Sequence, residues 1–182
     1  MNLYIMRHFE VDFKWRNYCN SAEFIIDYNA YNTRPIRAQK TKDFKPNISR
    51  VYLSTMSRTQ ETYLLLGLEN EAIKTNLLNE VPMQPFMNSR IKLPTKLWKI
   101  IARLQWYFNH KRQPETRNKT LTRIKQFLDV VEKDNTDCLV IGHGVYFSQM
   151  VKVLLDNNYK GNSKRIYKNG EVIMFTSTNE LS

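Results

Sequence analysis

The chain of 182 residues has few cysteines, few acidic residues and no long apolar run. Its two cysteines, Cys19 and Cys138, lie far apart, so we expect neither a disulfide framework nor a zinc site, and we predict a cytoplasmic protein. No apolar segment is long enough to cross a bilayer, and the N-terminus lacks the pattern of a signal peptide. The predicted organisation is one domain over residues 1–182 with no membrane partner.

The chain carries a formal charge of +11, from 28 lysines and arginines against 17 acidic residues. Such an excess attracts anions, which include phosphorylated substrates, nucleic acids and acidic membranes. Charge alone does not choose among these partners, and a solvated basic surface explains it equally well. The hydrophobic fraction of 42% indicates a folded chain and excludes a disordered one.

Strand-like and helix-like segments alternate along the chain. Short apolar runs predict strands at residues 2–6, 50–54, 75–78, 137–142 and 171–177. Helical periodicity predicts helices at residues 57–66, 95–108, 116–133 and 145–155. This alternation predicts a three-layer α/β/α sandwich with a mostly parallel central sheet.

Two of the predicted helices carry apolar stripes, which we assign to the core. The first stripe consists of Leu97, Ile100, Ile101, Leu104 and Phe108, and the second of Leu121, Ile124, Leu128 and Val131.

Polar groups suited to phosphate chemistry follow three of the predicted strands. Arg7 and His8 follow the first, Ser54 and Arg58 the second, and His143 and Gly144 the long apolar strand. If these strands are neighbours, their carboxyl ends bring two histidines and two arginines to one pocket. Guanidinium groups form paired hydrogen bonds to phosphate oxygens, and an unprotonated imidazole is a nucleophile. At Gly144 the backbone and the positive end of the following helix can approach an anion.

These segments together resemble the histidine phosphatase superfamily, which includes cofactor-dependent phosphoglycerate mutases and many small phosphatases. The signature of an apolar strand followed by R-H-G is matched by residues 3–9, except that Phe9 replaces the glycine. The pattern S-x-x-x-R-x-x-x-T is matched by Ser54, Arg58 and Thr62, and the final H-G by His143-Gly144. The order and approximate spacing of all three match.

The resemblance implies a phosphoglycerate mutase-like fold and assigns roles to the residues. His8 would be the nucleophile, and Arg7, Arg58 and His143 would surround the phosphate. Glu80 lies where many members carry the general acid for the leaving oxygen. No metal or cofactor is expected. Phe9 leaves the geometry of the phosphate loop open.

Residues 81–114 contain seven basic residues and no acidic one, and the resemblance places a variable lid over the active site here. We interpret this segment as a basic lid that attracts an anionic substrate. The second interpretation, in order of preference, is a solvated basic face, and the third is a nucleic-acid-binding surface. A second basic segment precedes the second predicted strand, and we expect it near the entrance to the same active site. It consists of Arg34, Arg37, Lys40, Lys42 and Lys45.

The predicted activity is hydrolysis of a phosphomonoester on a small molecule through phospho-His8, without a metal. The alternatives are a phosphohistidine-protein phosphatase and a non-catalytic phosphate-binding module, with a nucleic-acid-binding protein as the least favoured. The sequence does not determine the oligomeric state.

Overall fold

A computed structural model describes residues 1–38, 47–164 and 167–178 and has a six-stranded sheet at its centre. Its strands are β1 Asn2–Arg7, β3 Arg50–Ser54, β4 Ala72–Thr75, β6 Cys138–Gly142, β7 Tyr159–Gly161 and β8 Val172–Ser177. Across the sheet these strands follow the order β4-β3-β6-β1-β8-β7. The first four in spatial order are parallel, whereas β8 is antiparallel to β1 and β7 to β8. The predicted mixed α/β fold with a mostly parallel sheet is confirmed.

Alternating side chains of the strands supply two apolar cores, one on each face of the sheet. Leu3, Ile5 and Val140 face a cluster that includes the buried sides of two helices, α4 Arg117–Asp134 and α5 Gly144–Asp156. Met6, Leu53 and Ile141 face the other cluster, against which Tyr63 and Leu66 of α2, Ser57–Leu66, pack. β6 is buried along its whole length between β3 and β1, as its continuous apolar run predicts.

Local signals explain where several helices begin and end. Gly67 follows α2 with φ of 61°, a left-handed conformation that glycine adopts without steric cost. Thr116 caps α4 by accepting a hydrogen bond from the backbone N–H of Lys119. The predicted stripe of α4 is correct, because Ile124, Leu128 and Val131 are buried. No helix within the described ranges is long and apolar enough to cross a membrane.

The predicted strand at residues 75–78 is wrong. The edge strand β4 ends at Thr75, and Asn76–Leu78 forms one turn of 3₁₀ helix that Thr75 caps through its hydroxyl. The apolar pair Leu77-Leu78 is explained by packing of this turn against the core beneath α4.

The core stripe assigned to helix α3, Thr95–Tyr107, is also wrong. Trp98, Ala102 and Trp106 are buried instead, whereas Ile100 is 58% exposed and Phe108, just after the helix, is 73% exposed. Leu97 and Leu104 also lie among the exposed residues, and Ile101 is partly buried. Two tryptophans bury more area than the aliphatic residues on the opposite side would, so they determine which side of the helix faces inward.

Elements that the periodicity did not predict complete the fold. Helix α1, Ser21–Thr33, and the short ribbon of β2, Tyr18–Cys19, and β5, Leu93–Pro94, lie beside α3. They share with it a third core that includes Cys19, Phe24 and Trp98. This third core supports one side of the site described next.

Candidate active site

The carboxyl ends of three neighbouring parallel strands form the floor of the site. β1 and β6 pair with Arg7 opposite Gly142, and β3 lies on the other side of β6. The backbone N–H of His8 donates to the carbonyl of Gly142 over 3.0 Å, so His8 follows directly on this pairing. The imidazole rings of His8 and His143 meet edge to face with their centroids 5.1 Å apart. The structure therefore brings together the strand-end residues that the sequence predicted would converge.

His8 is held as a neutral imidazole with one defined tautomer. Its side chain is buried, and its Nδ1 lies 2.6 Å from the carbonyl oxygen of Phe9. Because a carbonyl oxygen only accepts hydrogen bonds, Nδ1 carries the proton and Nε2 has the free lone pair. Burial lowers the pKa of His8 from 6.5 to about 3, and the nearby charges of Arg58 and Arg7 act in the same direction. An unprotonated Nε2 is the form that attacks phosphorus.

His143 lies at the centre of a hydrogen-bond chain. Its Nδ1 accepts from Nε of Arg58 over 3.3 Å, so its Nε2 carries the proton and donates to Oγ of Ser54 over 2.8 Å. Burial lowers the pKa of this histidine well below its usual range, with Arg58 adding to the effect. Both ring nitrogens are thus bonded within the protein, and the imidazole fixes the guanidinium of Arg58.

Thr62 and the backbone of Phe9 hold the loop that carries His8. The backbone N–H of Phe9 donates to Oγ1 of Thr62 over 2.9 Å, and that hydroxyl donates to the carbonyl of Arg58 over 2.7 Å. The side chain of Phe9 is buried in the core on the α2 side of the sheet. A bulky residue is therefore accommodated after His8, because its ring turns into the core while its backbone supports the loop.

Arg7 reaches the site across Gly144. A Cβ atom at Gly144 would lie only 3.2 Å from Cζ of Arg7, so the glycine makes room for the guanidinium group. One end of that group donates to the carbonyl of Tyr167 over 2.6 Å, whereas its buried Nε has no hydrogen-bond partner among the described residues. An unpaired buried donor is costly, and an anion in the site would satisfy it.

A cavity of about 360 Å³ opens above these residues. Its lining includes four cations, one carboxylate and three aromatic rings, which are Arg7, Arg58, Lys99, Arg103, Glu80, Trp15, Tyr28 and Tyr31. The imidazoles of His8 and His143 are 2% and 0% exposed and lie next to the guanidinium groups that line the cavity.

Glu80 lies at the amino end of α5. Its Oε1 accepts from the backbone N–H groups of Val81 and Tyr146 over 2.9 and 3.1 Å, and its Oε2 accepts from that of Val145 over 3.4 Å. A carboxylate at this end of a helix interacts favourably with the helix dipole. Glu80 thus lines the same cavity as the two arginines, with both oxygens fixed by backbone donors. In the part of the chain that the structure describes, no group of three His, Cys, Asp or Glu residues could hold a metal ion.

A family profile described as histidine phosphatase superfamily (branch 1) matches residues 34–180. The chain belongs to this superfamily. The matched span includes Arg58, Glu80 and His143 but begins after Arg7 and His8. The strand register and the ring contact between His8 and His143 place these two residues in the site. Comparison with curated protein sequences gives no significant match.

Solved structures of three phosphatases share the fold. An alpha-ribazole phosphatase from Shigella flexneri is 15% identical, with a TM-score of 0.58, 96% of this chain covered and 89% of that one. A phosphoserine phosphatase from Entamoeba histolytica, solved with 3-phosphoglyceric acid, is 13% identical, with a TM-score of 0.53 and coverage of 99% and 97%. A mycobacterial glucosyl-3-phosphoglycerate phosphatase is 14% identical, with a TM-score of 0.52 and coverage of 95% and 88%. At these identities the likeness concerns the fold.

The sequence did not predict two contacts at this candidate site. Asn32 accepts from Arg58 over 3.0 Å, and the ring of Tyr31 lies beneath the same guanidinium at 5.3 Å. Both belong to α1, whose only sequence signal is the capping box formed by Asn20 and Glu23.

The second basic segment is only partly described. Arg37 pairs with Asp12 and Glu10 on the surface. Lys40, Lys42 and Lys45 lie outside the described residues.

Proposed function

We propose that this protein hydrolyses phosphomonoesters of small molecules, with His8 as the nucleophile and without a metal ion. Nε2 of His8 attacks phosphorus, the bond from phosphorus to the ester oxygen breaks, and phospho-His8 forms. Water then attacks phosphorus, which releases inorganic phosphate and restores the imidazole. The fold that the chain shares with three phosphatases of phosphorylated small molecules supports this substrate class.

The observation that carries the proposal is a neutral imidazole beside two guanidinium groups. Proton-bearing Nδ1 of His8 is fixed on the carbonyl of Phe9, which leaves Nε2 free to attack. Arg7 has an unpaired buried Nε, and Arg58 is held at the cavity by His143 and Asn32. Positive groups that are fixed before the reaction stabilise the charge on a transferring phosphoryl group most effectively.

Accessory roles follow for His143, Gly144 and Glu80. The bond from Arg58 to His143 is long, at 3.3 Å, so a phosphoryl oxygen can replace His143 as the acceptor for the N–H of Arg58. His143 would then donate to the same oxygen from Nδ1–H, with its Nε2 accepting from Oγ of Ser54. Gly144 places Arg7 at the phosphate. Glu80, once protonated, would deliver its proton to the leaving oxygen and later take one from the attacking water.

Residues 81–114 are proposed as a lid over the site. Of the basic residues in this segment, Lys99 and Arg103 line the cavity, and they project from α3. Arg112 instead holds the segment together by donating to the carbonyl of Pro85 over 2.7 Å.

The test is hydrolysis of an aryl phosphate by the parent protein, His8→Ala and His110→Ala. His110 is an exposed histidine outside the cavity, so its variant controls for the loss of an imidazole. We expect phosphate release in the parent and in His110→Ala, and its loss in His8→Ala. Equal turnover in all three proteins would refute the proposal.

A second candidate is a phosphate-binding module without turnover. It is favoured by the burial of His8, which is only 2% exposed, because a nucleophile has to be accessible to its substrate. Tight binding of inorganic phosphate with no hydrolysis of any aryl phosphate would support this candidate.

A further inference from the structure

The cavity contains more positive charge than one phosphoryl group requires. Arg7, Arg58, Lys99 and Arg103 line it, and Glu80 is the carboxylate among its lining residues. A phosphomonoester carries about two negative charges near neutral pH, which Arg7 and Arg58 match at the histidine end. Glu80 offsets one of the two remaining charges, so about one positive charge is left uncompensated at the Lys99 and Arg103 end of the cavity.

Lys99 is a half-buried cation without an acidic partner. Its ammonium lies over the ring of Trp15 at 3.5 Å, and no carboxylate of the described residues is within ion-pair distance. Asp27 acts on it from a distance but is bonded to Arg16 over 3.1 Å. Burial lowers the pKa of Lys99 from 10.5 to about 8, because the ammonium has lost water and gained no anion.

Arg103 follows Lys99 by one helical turn on α3, so both side chains leave the same face of the helix. Its guanidinium donates to the carbonyl of Val81 over 3.0 Å. A carbonyl fixes the group but leaves its charge uncompensated. The two side chains therefore place two cations at the side of the cavity that α3 forms.

Two aromatic rings connect this pair with the phosphate end. Arg58 lies over Tyr31 at 5.3 Å, Tyr31 contacts Trp15 with ring centroids 5.6 Å apart, and Lys99 lies over Trp15. The rings of Tyr31 and Trp15 thus lie between the guanidinium of Arg58 and the ammonium of Lys99. An aromatic surface of this kind packs well against an apolar or planar organic group.

We propose that Lys99 and Arg103 form a second anion subsite, so that the substrate is a phosphomonoester whose organic part carries another negatively charged group. This inference rests on the proposed function in that the first anion is the scissile phosphate. Either a carboxylate or a second phosphate fits the chemistry of the subsite. The organic part would lie along Tyr31 and Trp15.

Binding of phosphonates tests the subsite independently of turnover. The probes are 4-phosphonobenzoate and 4′-phosphonobiphenyl-4-carboxylate, each compared with its neutral carboxamide by calorimetry. The proteins are the parent, Lys99→Gln, Arg103→Gln and Lys125→Gln. Lys125 is an exposed lysine on α4 outside the cavity, so its variant removes the same charge without touching the subsite.

We expect the carboxylate of at least one pair to bind about tenfold more tightly than its carboxamide, as for a hydrogen bond to a charged group. The preference should fall to about twofold or less in Lys99→Gln and Arg103→Gln and persist in Lys125→Gln. Phenylphosphonate should bind all four proteins alike, which shows that the phosphate end is intact.

Equal affinity within both pairs, or a preference that survives in both lid variants, would overturn the subsite. Failure of every phosphonate to bind would overturn it as well. If the preference is found but aryl phosphates are not hydrolysed, the proposed function fails and the subsite stands. Replacing the carboxylate by a second phosphonate then shows which anion it prefers.

Discussion

Lowering the pH from 7 to 5 should destabilise the fold by an amount that its two buried histidines determine. In the unfolded chain each imidazole takes up a proton near pH 6.5, whereas in the folded protein His8 does so only near pH 3 and His143 also resists protonation. Between these values the unfolded state binds more protons, so the free energy of unfolding falls as the pH falls. His8 contributes about 2 kcal/mol to this loss between pH 7 and pH 5, and His143 contributes in the same direction.

The assay is urea unfolding at pH 7 and pH 5 of the parent, His8→Gln, His143→Gln and His110→Gln. His8→Gln should lose about 2 kcal/mol of the pH-dependent change, and His143→Gln should also lose part of that change, whatever the stability of each variant at pH 7. His110 is exposed, and its variant controls for the replacement of a histidine side chain outside the site. Nitrogen NMR of the imidazoles gives the protonation states directly. If either buried ring titrates above pH 6, the reasoning is refuted, and with it the claim that burial keeps His8 ready as a nucleophile.

Three further predictions concern single residues. Arg58→Gln should lower kcat/KM for an aryl phosphate by about 10²–10³, since a fixed donor to the phosphoryl group is lost; an effect below about threefold contradicts that role. Gly144→Ala should weaken phosphate binding by displacing Arg7, whereas Gly67→Ala should lower the free energy of unfolding by about 1 kcal/mol through its positive φ and leave kcat/KM unchanged. Glu80→Gln should lower kcat by about 10²–10⁴ for alkyl phosphates and far less for nitrophenyl phosphate, whose leaving group needs no proton; equal losses for both would exclude proton transfer by Glu80.

The fold could be predicted where pattern and packing agree. The run Cys138–Gly142 is apolar at almost every position, and only a strand covered on both faces buries it all. The apolar stripe of α4 faces the core because the large apolar side chains of that helix lie on one side. In both cases one orientation buries clearly more apolar area than any other.

The sequence of α3 has two apolar stripes, so either side of the helix could face the core. The prediction from periodicity selected the side that the structure exposes. The aliphatic stripe around Ile100 and Leu104 competes with a second stripe of Trp98, Ala102 and Trp106. Burial of the second is reinforced by hydrogen bonds, since the indole N–H of Trp98 donates to the carbonyl of Cys19 and that of Trp106 to Oγ1 of Thr120. Such partners are distant in sequence, so a search for periodicity does not find them.

In the candidate site, too, some residues could be placed from the sequence and others could not. Residues that follow parallel strands could be placed from sequence, because the carboxyl ends of neighbouring strands meet at one edge. Asn32 and Tyr31 could not, since they reach Arg58 from a helix whose buried face consists of only Phe24 and Asp27. Lys99 is a similar case, because its proximity to Trp15 depends on the orientation of α3.

Trapping the covalent intermediate tests the central claim most directly. The parent protein is mixed with an aryl phosphate, quenched in alkali within milliseconds and digested for mass spectrometry of the peptide that contains His8. The mechanism predicts one acid-labile phosphoryl group on His8 in the parent and none in His8→Ala. Phosphate release by the parent with an unmodified His8 peptide, or with the phosphoryl group on another residue, would contradict it.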